Sequence, residues 1–501
     1  MLNPHQISIE TIPKILFLVF LWLFFLFLFN TKIISKQFKK IKKKTWLILV
    51  LVVLLGAYFR FFFAPHHFRV LTDEPGHIEA AKNILQHTEA KNCEYLMEES
   101  CEPYKRQLGW PLLLSFCFLL FGVNNYIAIN LSALFGSLSI TLLFLFTYLL
   151  FKKESIALWS SLLLCLTPAH IIWSGTAEPN VASLFFLLLT LLFFMVCFRE
   201  GTLKTRFLAV FSLLFTLQMR SEFLLLLPVL FLLWLFFGKK TKPWWLPWLV
   251  FIVFLPTYLI QLYFDLAANL SISGGGLFNI FNLFKNAPTT LGMILNDYNL
   301  LFVVSLFLGL YLIRQKKKIF IPLLAFFLVF FLLYSSFQRP QTRMFLAPII
   351  PLILFSAYGL DFLTKKFNKI TLALVVLLML SFYPSLAGIE AQPFQALETK
   401  VPQLAQKDIP ADCYILTEWP ETLACTTDFK LVDSTIPALN QAYIGFLYNK
   451  TDCVLFYEDI YCLKHNSKKC TLMHEAFNLT QYKNYSDFGV TYSFYKVPKK
   501  V

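Results

Sequence analysis

Two adjacent carboxylates, Asp73 and Glu74, follow a hydrophobic run that extends from Trp46 to Ala64. A carboxylate whose basicity is raised by burial can take a proton from a reacting hydroxyl. Several carboxylates together can instead ligate a divalent cation such as Mg²⁺ or Mn²⁺ through oxygen. We therefore expect any chemistry of this chain to occur just outside a membrane helix, with Asp73 and Glu74 as its catalytic groups.

Further ionisable side chains lie near the ends of other hydrophobic runs. The candidates for substrate binding are His77, Glu178, Arg220, Glu222, Arg339 and Arg343. Carboxylates and arginines at one membrane face suit an anionic, lipid-linked substrate, and ionisable groups at membrane depth are costly enough to be functional candidates. Glu178 is also the third candidate metal ligand, beside Asp73 and Glu74.

Each of these residues also has a structural interpretation. An arginine at a helix end is often a snorkelling anchor. Glu178 can complement the dipole of a helix that starts near Asn180, and Asp73 can N-cap a loop helix that runs to Leu85. Capping does not exclude catalysis, so Asp73 keeps its predicted role.

Composition identifies the protein class. Hydrophobic residues make up 57% of the 501 residues, with 57 Phe, and only 15% are charged; mean hydropathy is +0.64. A soluble surface cannot cover so much apolar area, so we predict a polytopic α-helical membrane protein of about 12 spans. The runs cover 13–30, 45–64, 126–151, 155–173, 180–198, 205–219, 221–238, 244–264, 298–313, 319–335, 344–363 and 370–388.

Lysine and arginine predict the orientation, because short cytoplasmic loops carry the excess of positive charge. The Lys36–Lys44 segment holds six lysines and fixes the first loop inside, which puts Asp73 on the outer face. The apolar stretch Trp110–Phe121 is predicted not to span, because a crossing there would turn five later basic loops outward. Those loops contain Lys152–Lys153, Arg199–Arg206, Lys239–Lys242, Arg314–Lys318 and Lys365–Lys369.

The chain divides into three predicted parts. Residues 1–44 form a retained first helix and a basic cytoplasmic loop, and residues 45–388 form the membrane domain, whose first outer loop is 65–125. The more polar residues 389–501 form a small extracytoplasmic α+β domain, in which Cys413–Thr417 and Cys453–Tyr457 are typical of short strands. The net charge of +15 belongs to loops that face lipid headgroups and implies no nucleic-acid partner.

Cysteines and glycosylation motifs are compatible with this sidedness. A disulfide between Cys93 and Cys101 is plausible in an oxidising exterior, although the odd number of outer cysteines leaves a thiol over. A zinc site is the alternative, without a CxxC pair to support it. Four asparagines in N-x-Ser/Thr motifs, all in segments predicted to be outside, are Asn269, Asn449, Asn478 and Asn484.

The order of these parts resembles the GT-C glycosyltransferases of the protein O-mannosyltransferase and aminoarabinose transferase type. The resemblance rests on Asp73–Ala80 in the first outer loop, on Pro111–Leu113, and on Phe121–Gly122, followed by many spans over residues 45 to 388. His77 stands where that family usually has Tyr, and Glu178 where Asp is common.

The resemblance implies transfer of a sugar, with inversion, from a polyprenyl-phosphate donor of the dolichyl-phosphate type. The acceptor is a lipid, glycan or protein hydroxyl at the outer face of a cell membrane. Asp73 is then the general base. The leaving phosphate needs positive charge, which Arg343, and after it Arg339 and Arg220, would supply.

Three other functions fit the sequence less well. An oligosaccharyltransferase of this architecture carries a Trp-Trp-Asp-Tyr-Gly signature, whereas Trp244-Trp245 is followed here by Leu246-Pro247. A transporter or flippase of a lipid-linked sugar would place ionisable residues at mid-span and show paired broken helices. A membrane anchor for an outer binding module would leave the placement of Asp73 and Glu74 unexplained.

Overall fold

The computed structural model places most of the chain. It describes residues 10–66, 74–93, 101–104, 106–238, 252, 255–256, 258–260, 262–263, 280–296, 300–337, 342–366, 373, 376–377, 401–418, 420, 423, 427, 429–458, 462, 468–487 and 490–499. Two predicted site residues, Asp73 and Arg339, lie outside this set.

Helices account for the membrane domain. In chain order they are α1 Ile12–Phe38, α2 Lys43–Tyr58, α3 Glu74–His87, α4 Gly109–Phe121, α5 Tyr126–Phe151, α6 Glu154–Leu166, α7 Pro168–Ser174, α8 Asn180–Glu200, α9 Leu203–Met219, α10 Leu226–Phe237, α11 Ile280–Asn296, α12 Leu300–Ile313, α13 Lys317–Ser335 and α14 Ile349–Lys366. A π-helical turn, Phe59–Phe63, continues α2, and 3₁₀ segments cover Ser221–Leu225 and Thr342–Leu346. A short ribbon pairs β1 (Lys91–Cys93) with β2 (Cys101–Pro103) and sets Cys93 opposite Cys101 in the backbone register.

Five helices within the described residues are long and apolar enough to cross a membrane, and the bent pair α6–α7 makes a sixth if it counts as one span. These are α1, α2 with its π turn, α5, α8 and α13. The protein is therefore an integral membrane protein by length and composition of its helices. The number of twelve spans and the outward orientation stay predictions, and the runs 244–264 and 370–388 lie largely outside the described residues.

The predicted span 155–173 differs from the structure. In the structure, this segment consists of two helices, α6 and α7, that meet at an angle of 58°. Pro168 causes the break, because it has no N–H to continue the hydrogen-bond ladder of α6 and its ring disfavours the helical conformation of Thr167. Helix α11 was not predicted, because the segment between two hydrophobic runs reads as loop.

Helix α8 lies at the centre of the membrane domain. Within an apolar stretch of 18 residues of this helix, 89% is buried. It packs between α5 and α9, while α12 packs on α14. The α12–α14 contact is unusually close, because a Cβ on Gly309 would lie 1.8 Å from the Phe355 carbonyl oxygen. Small residues let helix backbones approach in this way inside membranes, and a hydrogen bond between Ser305 and Ser356 joins the same two helices.

The C-terminal residues form the expected small sheet. Its strands are β3 Tyr414–Thr417, β4 Lys430–Asp433, β5 Val454–Glu458, β6 Thr480–Asp487 and β7 Val490–Lys496, in the order β4-β3-β5-β7-β6. Strands β4, β3 and β5 are parallel, and β7 and β6 are antiparallel to their neighbours. Short helices α15 Thr435–Leu439, α16 Ala442–Tyr448 and α17 Lys468–Ala476 accompany the sheet.

Two disulfides stabilise this domain. Cys413 bonds to Cys453 at the starts of β3 and β5, and Cys462 bonds to Cys470 at the start of α17. Separate apolar clusters cover the two faces of the sheet, one around Ile415 and Tyr457 and the other around Leu416 and Phe456. The alternation of these residues along β3 and β5 explains the two cores, since successive side chains of a strand point to opposite faces.

Candidate active site

An ion pair between Glu178 and Arg343 joins two distant segments of the membrane domain. The Nη1 of Arg343 lies 2.7 Å from Oε1 of Glu178. Glu178 lies in the turn between α7 and α8, and Arg343 lies on the 3₁₀ segment Thr342–Leu346, which packs on both helices. The Glu178 side chain is only 3% exposed and that of Arg343 17%. Two residues that the sequence predicted as parts of one site are therefore in direct contact.

A second charged cluster surrounds Arg220. Its Nε and Nη2 each lie 2.5 Å from Oε1 of Glu222, and its Nη1 donates to the side-chain oxygen of Asn180. The Tyr334 hydroxyl donates to the same Glu222 oxygen at 3.4 Å. Burial lowers the pKa of Arg220, but the adjacent Glu222 carboxylate more than reverses this, so the pKa lies above its ordinary value. The guanidinium is fully charged.

One cleft connects the two clusters. Its lining residues are Asn180, Leu184, Arg220, Phe223, Tyr334, Arg343, Met344, Leu346 and Ala347. Two guanidinium groups thus face a common space whose remaining wall is largely apolar. This combination suits a ligand with an anionic group and an apolar tail, since arginine binds phosphate through a planar fork of donors.

Asn180 and Tyr334 were missed from the sequence. Asn180 is the first residue of α8, where it reads as an ordinary helix-start residue, and Tyr334 lies inside the apolar run of α13. Neither has a local signal that separates it from packing residues. The only hint in the sequence is that each is a polar side chain within one turn of the end of an apolar run, and that charged residues lie at the ends of other runs.

The segment predicted to be the first outer loop reaches this region through α4. Trp110, at the start of α4, is fully buried and its indole N–H donates to the Ala177 carbonyl at 2.7 Å, next to Glu178. Helix α3 packs on α4 and begins at Glu74, which is fully buried. His77 on α3 is 3% exposed and its Nδ1 shares a hydrogen bond with the Tyr104 hydroxyl. The helix that follows Asp73 is therefore tied to the turn that carries Glu178.

The predicted metal set of Asp73, Glu74 and Glu178 is not tested by the structure, because Asp73 lies outside the described residues. Within them, the group of His, Cys, Asp or Glu ligand atoms close enough to share an ion is Glu418, Cys462 and Cys470, in the C-terminal domain. Two of its sulfurs already form a disulfide. At the candidate site, the Glu178 carboxylate accepts from Arg343. We therefore derive no chemical step through a metal.

Comparisons with known proteins agree on the class. Residues 105–260 match the family model of dolichyl-phosphate-mannose-protein mannosyltransferases. The structure is similar to ArnT from Cupriavidus metallidurans bound to undecaprenyl phosphate, with a TM-score of 0.58 and 12% identity over 91% of this chain and 98% of that one. The chain has the GT-C glycosyltransferase fold.

A second solved structure supports the same assignment. The oligosaccharyltransferase AglB from Archaeoglobus fulgidus, in complex with an inhibitory peptide and a dolichol-phosphate, matches with a TM-score of 0.54 and 12% identity. The match covers 90% of this chain and 74% of AglB. No curated protein matches the chain by sequence. The family match over residues 105–260 and the shared fold agree with the GT-C membrane glycosyltransferase that the sequence resemblance implies.

Proposed function

We propose that this GT-C protein transfers a sugar, with inversion, from a polyprenyl-phosphate donor to an acceptor hydroxyl at the outer face of the membrane. The cleft that contains both Arg220 and Arg343 is the observation that carries the proposal. Its two guanidinium groups suit the donor phosphate, and apolar side chains adjoin them. The complexes of ArnT with undecaprenyl phosphate and of AglB with a dolichol-phosphate support a donor of this class.

The two arginines have different roles in this proposal. Arg220 has all three nitrogens engaged by Glu222 and Asn180, so it shapes the cleft. Arg343 binds the donor phosphate and stabilises the charge that grows on it as the sugar leaves. Glu178 orients Arg343 through the 2.7 Å ion pair. Arg339, four residues before Arg343, is a further proposed phosphate ligand.

Asp73 is the proposed general base. It takes the proton of the acceptor hydroxyl while the oxygen attacks the anomeric carbon from the side opposite the phosphate, which inverts that carbon. The phosphate leaves as an anion of low basicity and needs no general acid. Support comes from the neighbouring structure, since Glu74 and His77 on α3 are buried and α3 packs on the helix that contacts the Glu178 turn.

The outer location of the site, the sugar and the acceptor class remain parts of the proposal. A lipid, glycan or protein acceptor each presents the required hydroxyl. A role of Mg²⁺ or Mn²⁺ held by Asp73, Glu74 and Glu178 is a separate proposal. Its test is transfer in the presence of EDTA, with loss of activity and recovery on adding the ion as the supporting result.

The test is a transfer assay in membranes with a panel of polyprenyl-phosphate sugars, comparing the wild type with Asp73→Asn. Transfer that is lost in the variant while donor binding persists supports the proposal. Glu89→Gln is the matched control, because Glu89 lies in the same loop and forms a surface ion pair with Lys91, which contributes at most about 1 kcal/mol.

Two outcomes of this assay would contradict the proposed function and assign a different one. Transfer of a preassembled oligosaccharide to asparagine would make the protein an oligosaccharyltransferase, the function of AglB. Movement of the donor across the membrane without transfer, unaffected by Asp73→Asn, would make it a transporter.

A further inference from the structure

A buried arginine from α2's π turn lies at the break between α6 and α7. Arg60 is fully buried, and its guanidinium donates to the Gly56, Leu164 and Cys165 carbonyls at 2.9, 3.1 and 3.4 Å. Its Nε and Nη2 lie 3.2 and 2.7 Å from Nδ1 of His170. Within the described residues Arg60 has no carboxylate partner, so its role is not that of an ordinary ion pair.

Two of the three carbonyls, those of Leu164 and Cys165, lie in the last turn of α6 at the break, and the third, that of Gly56, lies in α2. The Leu164 carbonyl also accepts from the Thr167 N–H at 3.4 Å. In a continuous helix the Leu164 carbonyl would accept from the N–H of residue 168, but that residue is Pro168. The last carbonyls of a helix also carry partial negative charge, which a cation complements. Arg60 therefore caps the C-terminus of α6 with a charged fork of donors, in a region where water is scarce.

The same side chain fixes α7. Because an arginine can only donate, Nδ1 of His170 must be the acceptor, and the imidazole proton resides on Nε2. His170 lies on α7, so the guanidinium joins the end of α6 to the helix after the break. The π turn Phe59–Phe63 matters here, since such insertions in helices are frequent at functional sites.

Close packing leaves this assembly little freedom. A Cβ on Gly136 of α5 would lie 2.4 Å from the Ser174 hydroxyl and 2.9 Å from Cδ of Arg60. A Cβ on Gly175 would lie 2.3 Å from the Pro65 carbonyl oxygen. The chain from His170 to Gly175 is thus held against α5 and the end of α2, and Glu178 follows three residues later.

We propose that Arg60, acting through His170 and the Leu164 carbonyl at the end of α6, is a positioning residue for the Glu178–Arg343 ion pair. It fixes the angle at which α7 leaves α6, and so the place of the turn that carries Glu178. Its effect on transfer rests on the proposed function, whereas its effect on the order of α7 does not. Arg60 touches no substrate in this proposal.

The test compares Arg60→Lys with the wild type. Lysine keeps the charge but has one nitrogen in place of a fork, so it cannot serve α6 and His170 together. Three quantities are measured: the donor KM of transfer, the acceptor KM of transfer, and the hydrogen exchange of peptides from 167–179. We expect the donor KM to rise at least tenfold with the acceptor KM unchanged, since a misplacement of about 1 Å can cost 10²-fold in rate. Exchange in 167–179 should accelerate.

Matched variants separate positioning from general damage. Arg199→Lys is the control, because the Arg199 guanidinium also donates to a helix-end carbonyl, that of Leu149, away from the cleft. It should leave the donor KM unchanged. His170→Gln, which retains an acceptor, should preserve the donor KM, and His170→Leu should raise it. The His170 pair decides the matter if Arg60→Lys fails to fold.

The outcomes distinguish this inference from the proposed function. Wild-type donor KM and unchanged exchange in both Arg60→Lys and His170→Leu would overturn the positioning role. If the wild type transfers no sugar at all, the proposed function fails, yet faster exchange confined to 167–179 in the variants would still support the role of Arg60.

Discussion

At the scale of single residues, the candidate site depends on paired charges. Buried Glu178 pairs with half-buried Arg343, and Arg220 and Glu222 form a half-buried pair. Each acid compensates the desolvation cost of its arginine and fixes the direction of its donors. The arginines are therefore held in place before a substrate arrives, which is the condition for electrostatic stabilisation of a developing anion.

Arg343→Lys should lower kcat/KM for the donor by about 10²- to 10³-fold, the effect of losing one preorganised donor to a developing anion. Lysine preserves the charge and the pairing with Glu178, so protein yield and thermal stability should change little. Steady-state transfer with a saturating acceptor measures this. Arg314→Lys is the control, because Arg314 stacks on Tyr311 outside the cleft. Equal losses in both variants would contradict the assignment.

Glu222→Gln should destabilise the fold by about 1–3 kcal/mol, since removal of the charge of one partner from a half-buried ion pair leaves the Arg220 guanidinium partly uncompensated. The amide can still accept from Arg220 and Tyr334 but does not neutralise the guanidinium. Thermal unfolding in detergent, with ligand absent, reports the change. An unaltered melting temperature would show that water already solvates the Arg220 cluster.

At the scale of elements, breaks in helices place the site. Glu178 and Asn180 lie beyond the α6–α7 break, Arg220 and Glu222 lie where α9 gives way to a 3₁₀ segment, and Arg343 lies on another 3₁₀ segment. A continuous helix engages its backbone internally and presents its side chains to neighbours. Irregular backbone at helix ends instead brings several polar side chains to one place, and it is tolerated where it lines a cavity.

Gly309→Leu should separate α12 from α14 and destabilise the membrane domain by roughly 1–3 kcal/mol, the usual cost of overpacking. The cause is steric, because even a Cβ at this position would approach the Phe355 carbonyl to 1.8 Å. Gly292→Ala is the control, since nothing lies within 4 Å of a Cβ there. Melting of the two variants side by side gives the answer, and equal stability would refute the close contact.

At the scale of the whole molecule, the two ends of the membrane domain differ in charge. One end contains the paired acids and arginines of the cleft, while the other contains a group of neighbouring cations, Lys40, Lys152 and Arg199. Burial, then Arg199 and Lys40, lower the pKa of Lys152 to about 8. Lys152 follows α5 at its C-cap, on the face predicted to be cytoplasmic. Crowded cations of this kind suit a surface of anionic lipid headgroups.

Lys152 should consequently react with an amine-directed acylating reagent with a midpoint near pH 8, because only the neutral amine is nucleophilic. Since its pKa is lower in the folded than in the unfolded chain, folding should also be favoured as pH rises from about 8 towards 10.5. Mass spectrometry of labelled peptides measures the midpoint, and Arg199→Gln should raise it. A membrane-impermeant reagent on sealed cells should spare Lys152, and labelling from outside would reverse the predicted topology.

The sequence by itself determined the class of the protein and most of its helices. Apolar content and run length are properties of consecutive residues, so α5 was predicted with its observed bounds, 126–151, and β3 and β5 within a residue or two. The acids and arginines at span ends were also visible, because a charge within an apolar run is a local contrast. The break at Pro168 was readable in principle, but hydropathy continued across it.

Only the tertiary structure decided which of these residues meet. Glu178 and Arg343 are 165 positions apart, and Asn180 and Arg220 are 40 apart. In the sequence, Arg60 is one more charged residue at the end of a span. In the structure, it donates hydrogen bonds to residues on both sides of the break between α6 and α7. Hydropathy specifies that a helix is buried in the membrane, but it does not specify its neighbours. Those depend on side-chain packing between helices, which no pattern along a single helix encodes.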